Sequence, residues 1–470
     1  MLAFSSCPPA AAVRRLERRL SLYAGLEDFV LLYPLYALLF AEHGLSTAEM
    51  SSLFALWSLT ALLVEVPSGV WADLVSRRLL LVLGPLLTAT GFALWALLPS
   101  YAAFAAGFVL WGVGGALRSG AYEALAFEEL SRLGAGTRYA RAMGRASAWS
   151  MVATAAATAA AAPVAGLWGM PAVAAASVAA CLLCAVAGAA LPEHRTPGAG
   201  TERSGGAPPP APAGDGPGAA RAAGPGGAGG EGPGGGIGTT GAAAQAMGLR
   251  AVAVLRSGAA EVRGTPRVRR ALLLVVAVTA VWGALDEYVP LLASATGAPA
   301  AAVPLLVLLV WTGVTAGALL VGPAQRLGPR ALGTLLAAGA LATAAGALWG
   351  RPAGFAGVAA GFLVFQLVDV VADARLQAAV SGPGRATITS LAGLGKEGAT
   401  LGVFGAYAAL SSQADHGPVF ALLVVPYLLV ALVLGVRPRG EGGAMVPGGA
   451  DRVAAGGADP AVPGGTGRAS

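Results

Sequence analysis

The chain has 470 residues, of which 56% are hydrophobic and only 11% are charged, and its mean hydropathy is +0.70. Soluble domains carry about 25% charged residues, so this composition excludes an ordinary soluble protein and predicts a polytopic membrane protein. The net charge of +6 does not indicate nucleic-acid binding, because the positive charges follow the expected membrane topology.

Twelve apolar runs have the length of about 20 residues that crosses a hydrocarbon core. The predicted spans are 20–41, 48–71, 79–98, 102–125, 143–166, 170–191, 271–293, 302–324, 331–350, 353–376, 388–410 and 417–436. Six precede a long polar interruption and six follow it, as duplication of a six-helix unit would leave. The sequence therefore predicts an all-α membrane protein with twelve transmembrane helices in two six-helix bundles, residues 20–191 and 269–436.

Three segments lie outside these bundles. Residues 192–268 are mostly Gly, Pro and Ala and cannot bury enough apolar surface to offset the entropy of ordering, so we predict a largely disordered linker. Within it, apolar residues alternate with arginines over 245–263, which predicts a short amphipathic helix at the membrane surface. Residues 1–19 are predicted to be a cytoplasmic segment and 437–470 a disordered cytoplasmic tail.

The positions of the basic residues predict the orientation. Of the 30 lysines and arginines, 27 fall on one side of the predicted spans, and only Arg351 lies on the other. Because cytoplasmic loops carry the excess of basic residues, both termini and the linker are predicted to be cytoplasmic. We therefore expect a multi-pass protein of a bacterial cytoplasmic membrane, surrounded by the lipid bilayer.

A short charged turn separates the second and third spans. It contains Gly69, Asp73, Arg77 and Arg78 at the spacing Gly-x-x-x-Asp-x-x-x-Arg-Arg. A glycine lets two helices approach closely, and an acid favours the positive end of a helix dipole. Two arginines at this point favour the cytoplasmic side of the membrane.

This turn resembles the loop 2-3 signature of the major facilitator superfamily, Gly-x-x-x-Asp-(Arg)-x-Gly-Arg-Arg/Lys, from which Leu74 and Ser76 depart. Residues 321–330, Val-Gly-Pro-Ala-Gln-Arg-Leu-Gly-Pro-Arg, resemble a second, weaker copy. The resemblance implies a carrier whose two halves rock about a site at the membrane midplane. It also implies that Asp73 meets the region from Arg385 to Thr389 in a cytoplasmic latch.

Two stretches resemble a bacterial subgroup that is often drug-efflux-like. They are Gly120-Ala-Tyr-Glu123-Ala-Leu-Ala-Phe-Glu128 and Glu65-Val-Pro-Ser-Gly69. The Gly-Pro-x-x-Gly-Gly antiporter signature of the fifth span survives only as Ala162-Pro163-Val-Ala-Gly166. In the fourth span, Arg118 lies about one turn before Glu123, and we interpret the two as a pair at the cytoplasmic gate.

Acidic residues inside predicted spans are the main candidates for function, because a charged residue there costs about 2.5 to 3.5 kcal/mol. Glu27 and Asp28 lie in the first span, and Asp286 and Glu287 in the seventh. In the family these two helices line the central cavity, and a carboxyl group removed from water can take up and release a proton. Glu27 lies eight residues into its span and Asp286 sixteen, so we do not expect symmetry mates. The alternatives are a hydrogen bond to a neighbouring helix for Glu27 and a place at the external interface for Glu287.

A polar stripe runs along the tenth span. Gln366, Asp369, Asp373 and Gln377 share one helix face, which must contact water or other polar groups. We predict Asp369 and Gln366 as cavity residues and Asp373 as a gate residue. The alternative is a salt bridge of this stripe with Lys396 or Arg118.

Several classes of function are excluded or unlikely on these residues. The chain has no Gly-x-x-x-x-Gly-Lys-Ser/Thr signature, which argues against ATP-driven transport. Its three histidines lie in predicted loops, which argues against a metal site. No catalytic constellation lies in the spans, which argues against an enzyme. We predict a monomeric, proton-coupled exporter of a small amphipathic compound that needs no cofactor. Proton-coupled uptake of a polar nutrient and a non-transporting sensor or scaffold are the alternatives.

Overall fold

The computed structural model describes residues 10–194, 264–379 and 385–435. The side chains of residues 66–74, 267, 385–387 and 390 lie outside this description. The described residues form helices and connecting turns, with no β-strand among them. The predicted linker core, the predicted amphipathic helix at 245–263 and the predicted tail at 437–470 lie outside the described residues.

The first described stretch, 10–194, consists of six helices and a short 3-10 turn at Gly136–Arg138. The helices are α1 (Ala10–Asp28), α2 (Tyr36–Glu42), α3 (Thr47–Leu74), α4 (Arg77–Leu97), α5 (Tyr101–Arg132) and α6 (Tyr139–Ala189). We call this stretch the N-terminal half.

The remaining described residues, 264–379 and 385–435, form the C-terminal half. Its helices are α7 (Pro266–Asp286), α8 (Val289–Ala295), α9 (Val303–Leu319), α10 (Val321–Ala324), α11 (Pro329–Leu348), α12 (Phe355–Ala379), α13 (Arg385–Ser411), α14 (His416–Leu423) and α15 (Val425–Gly435). Short 3-10 turns at Ala300–Ala302 and Pro352–Gly354 precede α9 and α12.

Nine of the described helical segments are long and apolar enough to cross a membrane by length and composition. Ten of the twelve predicted spans fall on these nine segments, and the spans 143–166 and 170–191 both fall on α6. The span 20–41 falls instead on α1 and α2, and the span 388–410 falls on α13. Gly169 divides α6 with a φ of 76°, a backbone conformation that glycine adopts without strain. The chain is therefore an all-helical multi-pass membrane protein, whereas the count of twelve spans in two bundles stays a prediction.

The first predicted span differs most from the structure. Helix α1 begins at Ala10, ten residues before the predicted start, and it ends at Asp28. A turn at residues 29–35 separates it from α2. Pro34 explains the break, because a proline lacks a donor N–H and its ring excludes the preceding helical turn. The seventh predicted span is broken in the same way, with Pro290 in the first turn of α8.

Helix starts follow local sequence signals. The Oγ atoms of Ser76 and Ser100 accept hydrogen bonds from the third amide that follows each residue, at the beginning of α4 and α5. Before α3, the backbone N–H of Ser46 donates to Glu49 at 2.8 Å, and the N–H of Glu49 donates to Ser46 at 3.2 Å. These two bonds form a capping box.

Most helix packing joins helices of the same half. In the N-terminal half α4 packs against α5 and α6, and α1 packs against α6. In the C-terminal half α12 packs against α7, α9 and α11. The halves contact each other where α3 packs against α13, where α6 packs against α9, and where α2 packs against α8.

Small residues allow the closest helix approach in the N-terminal half. A Cβ atom added to Gly114 of α5 would lie 2.6 Å from the carbonyl oxygen of Gly84 in α4. Backbones can approach this closely where a facing residue lacks a side chain, which is common in the packing of transmembrane helices. The outward faces carry exposed apolar side chains such as Leu63, Leu97 and Val433, as a surface in contact with lipid requires.

We expect Gly114→Ala to lower the unfolding temperature, because the new methyl group overlaps a backbone oxygen that can move only with its helix. Overpacking of this kind costs about 1 to 3 kcal/mol. The matched control is Gly115→Ala, where an added Cβ meets no atom within 4 Å. Thermal unfolding of the two purified variants in detergent measures the difference. Equal unfolding temperatures would show that the approach at Gly114 does not limit stability.

Candidate functional site

A cavity of about 740 Å³ lies between the two halves. It is lined by residues from the α1–α2 turn, α3, α5, α6, the α7–α8 turn and α9. The acidic residues on its wall are Asp28, Asp286 and Glu287. Three of the predicted cavity acids therefore line one cavity, although Asp28 is about 260 residues away from Asp286 and Glu287 in the sequence.

Asp28 is the last residue of α1 and lines the cavity beside α6. Its carboxylate accepts a hydrogen bond from the hydroxyl of Ser150. Thr154 and Thr158 follow Ser150 at four-residue spacing, so the three hydroxyl groups lie on one face of α6 and all line the cavity. These three α6 residues were not among the predicted site residues. Their four-residue spacing within an apolar run is the signal that could have revealed them.

Asp286 and Glu287 lie at the corresponding place in the C-terminal half, where α7 ends. Among the residues that the structure describes, neither carboxylate forms a hydrogen bond or an ion pair. Asp28 is the last of 19 residues in α1, and Asp286 is the last of 21 in α7. The depth expected for Glu27 was counted from residue 20, whereas α1 begins at Ala10, and the difference in depth between Glu27 and Asp286 stays a prediction.

Aromatic rings form part of the cavity wall. Trp57 and Trp111 stack with ring centroids 4.9 Å apart, and Tyr33 stacks on Trp111 at 5.5 Å. All three side chains line the cavity and are partly exposed to it, as is Trp311 of α9. The wall is thus mainly apolar, with carboxylates and hydroxyl groups at few points.

Buried residues join the halves at one end of the cavity, and we call them the aromatic seal: Ser51, Phe54, Tyr288, Phe404 and Tyr407. The Tyr288 hydroxyl is hydrogen-bonded to the Ser51 hydroxyl at 2.7 Å, and its ring stacks on Tyr407 at 3.5 Å. Phe54 packs on Tyr288 at 5.3 Å. Ser51 and Phe54 lie in the first two turns of α3, so the seal is at the opposite end of this helix from Arg77 and Arg78.

Two further contacts join the two halves. Ser58, one turn after Phe54 in α3, donates a hydrogen bond to Glu397 of α13. A Cβ added to Gly166 of α6 would lie 3.6 Å from the Cβ of Ala301. By contrast, the ion pairs between described side chains at the arginine-rich end all join residues of the N-terminal half, such as Arg138 with Glu17 and Arg77 with Glu128.

Glu27 does not line this cavity. It forms an ion pair with Arg118 of α5, between helices that both belong to the N-terminal half. The predicted pairing of Arg118 with Glu123 is wrong, because residues five apart on a helix point about 140° away from each other. Glu123 is instead exposed. Glu27 thus neutralises the charge of Arg118 on a neighbouring helix, as the alternative of a bond between helices predicted.

The acids of α12, Asp369 and Asp373, are not among the described residues that line the cavity. The carboxylate of Asp369 accepts a hydrogen bond from the Thr279 hydroxyl of α7. The alternative of a salt bridge between the polar stripe of α12 and Arg118 is wrong, because Arg118 is paired with Glu27. Gln366 lies against Gly317 of α9, and Asp373 is half-buried further along α12.

The predicted gate residues at the arginine-rich end are described in part. Arg77 pairs with Glu128, and its backbone N–H donates to Glu193 at 2.8 Å. Arg78 is exposed. Gly69 and Asp73 fall in the last turns of α3 and Arg385 begins α13, but the surroundings of these three residues lie outside the described part, so the latch stays a prediction.

A membrane protein of packed helices, with a cavity between its halves and acids at helix breaks, has the architecture of a secondary transporter. The sequence profile of the Major Facilitator Superfamily matches residues 22–413. The chain therefore belongs to this superfamily, as the loop 2-3 motif predicted. No curated protein sequence is similar enough to be matched.

Solved structures show the same fold at low sequence identity. The chain is similar to the nucleoside transporter NupG, with 13% identity over 89% of this chain and 98% of that chain and a TM-score of 0.65. It is similar to a D-xylose-proton symporter, with 14% identity, coverage of 91% and 97%, and a TM-score of 0.59. A bacterial homologue of the human lysosomal transporter Spinster, inward-facing and unoccupied, gives 15% identity, coverage of 90% and 96%, and a TM-score of 0.60. Family and fold indicate a transporter.

The ion pair of Glu27 and Arg118 should be energetically coupled. Removing one partner leaves the other charge without compensation in the membrane interior, whereas removing both does not. We expect Glu27→Gln and Arg118→Gln each to lower the unfolding temperature. The double variant should be more stable than the sum of the two losses predicts, by about 0.5 to 3 kcal/mol. Additive losses in thermal unfolding would show that the pair does not interact.

The seal should respond to Tyr288→Phe, which removes the hydrogen bond to Ser51 but keeps the ring that stacks on Tyr407. One hydrogen bond contributes about 0.5 to 1.5 kcal/mol, so the open population at this end should rise roughly two- to tenfold. Labelling of a Thr154→Cys reporter by an impermeant maleimide, applied from the side of the seal, measures this population. The control is Tyr101→Phe, because Tyr101 bonds Ser52 within the N-terminal half. Equal labelling in both backgrounds would contradict a sealing role for Tyr288.

Proposed function

We propose that the protein exports a small amphipathic molecule across a bacterial cytoplasmic membrane in exchange for protons. The observation that carries this proposal is the cavity between the halves. It has two carboxylates at the break of α7 without a partner among the described residues, and a hydrogen-bonded carboxylate at the break of α1. A proton gradient is the proposed energy source, and no cofactor is required.

The composition of the wall supports an amphipathic substrate. Trp57, Trp111 and Trp311 are large apolar groups on the wall, and its polar side-chain groups are three carboxylates, the hydroxyl groups of α6 and α9, those of Tyr33 and Tyr36, and the indole N–H groups. A polar nutrient would need many hydrogen-bond partners to replace its water. Uptake of such a nutrient is therefore the weaker alternative.

The cavity acids support proton coupling. A carboxylate without a partner in a membrane interior is costly, so uptake of a proton lowers this cost whenever no other cation is present. Asp286 and Asp28 are the proposed protonation sites, with Glu287 as a second acceptor beside Asp286. Gln366 and Asp369 contribute from outside the wall, through α12 and its contact with α7.

The contacts between the halves support alternating access. The aromatic seal joins the two halves and closes one end of the cavity, at the start of α3 and away from the arginine-rich end. We infer an inward-facing arrangement in which both termini are cytoplasmic. Rocking of two six-helix bundles, residues 20–191 and 269–436, would open the seal and bring Asp73 to the start of α13.

A non-transporting sensor or scaffold is less well supported. Such a protein would not need a cavity with carboxylates, and the family to which the chain belongs is one of transporters. The efflux direction rests on the resemblance of the Gly120 to Glu128 stretch to a drug-efflux-like subgroup. The fold neighbours do not decide the direction, because identities near 14% inform on fold alone.

The test uses inverted membrane vesicles in which respiration builds a pH gradient. Amphipathic compounds, both neutral and charged, are chosen by the resistance that expression of the protein gives to a sensitive host. Addition of a substrate should dissipate part of the gradient, and Asp28→Asn or Asp286→Asn should abolish this response. The control is Asp415→Asn, at an exposed helix cap outside the cavity. Resistance that persists without any effect on the gradient would contradict proton exchange.

A further inference from the structure

The charges on the cavity wall point to the class of molecule that the cavity accepts. We infer that the substrate is an organic cation with an aromatic or bulky apolar body, and that Asp286 and Glu287 are its counter-charge. This inference rests on the proposed transport function and adds the charge of the substrate to it.

The described wall is acidic without basic compensation. Its charged residues are Asp28, Asp286 and Glu287, and no lysine, arginine or histidine is among the described residues that line it. The nearby cations are engaged elsewhere: Arg118 is paired with Glu27, and Lys396 lies within electrostatic range of Asp369 on α12. An anionic substrate would therefore meet only like charges in a medium that screens them weakly.

The cavity acids of the two halves differ in how far they are compensated. Asp28 accepts the Ser150 hydrogen bond and lies within electrostatic range of Arg118. Asp286 and Glu287 have neither kind of support among described residues. The C-terminal acids are thus the ones that need an external positive charge.

The aromatic rings provide a second, independent reason for a cation. Trp57, Trp111 and Tyr33 cover part of one another's faces in a stack, whereas Trp311 lines the cavity and forms no ring contact with another described side chain. The face of an indole ring attracts cations within about 6 Å of its centre and also packs against the apolar part of a bound molecule. A wall of carboxylates and indole faces in a cavity of about 740 Å³ therefore fits one bulky monovalent cation.

Two ions of equal size and opposite charge make the test. Tetraphenylphosphonium and tetraphenylborate share four phenyl rings, so they separate charge from shape. Equilibrium dialysis against the purified protein in detergent should show saturable binding of tetraphenylphosphonium, with affinity at least about tenfold higher than for tetraphenylborate. Equal or tighter binding of tetraphenylborate, or no saturable binding of tetraphenylphosphonium, would overturn the inference.

Variants locate the counter-charge. Asp286→Asn with Glu287→Gln should weaken tetraphenylphosphonium binding at least about tenfold, because two nearby charges are lost. Asp28→Asn should weaken it less, and Asp415→Asn should leave it unchanged. Each single change, Asp286→Asn and Glu287→Gln, is measured as well, and thermal unfolding shows that every variant is folded. Binding within twofold of the parent in the folded double variant would overturn the assignment.

The outcome is separable from that of the vesicle experiment. If neutral compounds dissipate the pH gradient but tetraphenylphosphonium does not bind, the transport function stands and the cationic substrate class is wrong. If tetraphenylphosphonium binds at Asp286 and Glu287 but no compound affects the gradient, the substrate class stands and proton exchange is wrong.

Discussion

The position of the cavity acids depends on two interruptions of helical hydrogen bonding, one in each half of the chain. Helix α1 ends at Asp28 ahead of Pro34, and α7 ends at Asp286 ahead of Pro290. In an unbroken helix, two neighbouring acids would point about 100° apart and at most one would face the cavity. At a helix end the backbone turns away, so Asp286 and Glu287 can both line the cavity. Non-helical backbone inside a membrane is tolerated where it borders such a cavity.

The broad architecture could be predicted from the sequence because it follows from local composition. Apolar runs of membrane length, arginines in one set of loops and the Gly69 to Arg78 turn led to a helical membrane carrier of the superfamily that the profile confirms. Asp28, Asp286 and Glu287 were found because acids are rare in apolar runs. These signals need only a window of sequence about one helix long.

The pairings could not be predicted, because they depend on contacts between distant helices. Arg118 is nearer in sequence to Glu123 than to Glu27, yet helix geometry directs it to Glu27. Asp369 could bind several partners by composition, and only the packing of α7 on α12 brings it to Thr279. The start of the first helix was missed because its arginines concealed that it begins at Ala10. The aromatic seal joins α3, the α7–α8 turn and α13, and no local pattern indicates it.

One peptide unit joins the cavity wall to the aromatic seal. Glu287 lines the cavity, and Tyr288, its neighbour, lies in the seal against Ser51 and Tyr407. Under the proposed function, a cation that draws the backbone of Glu287 toward it would also move the Tyr288 ring. Occupancy of the cavity and closure of the seal would then be coupled through two consecutive residues, without a long relay of side chains.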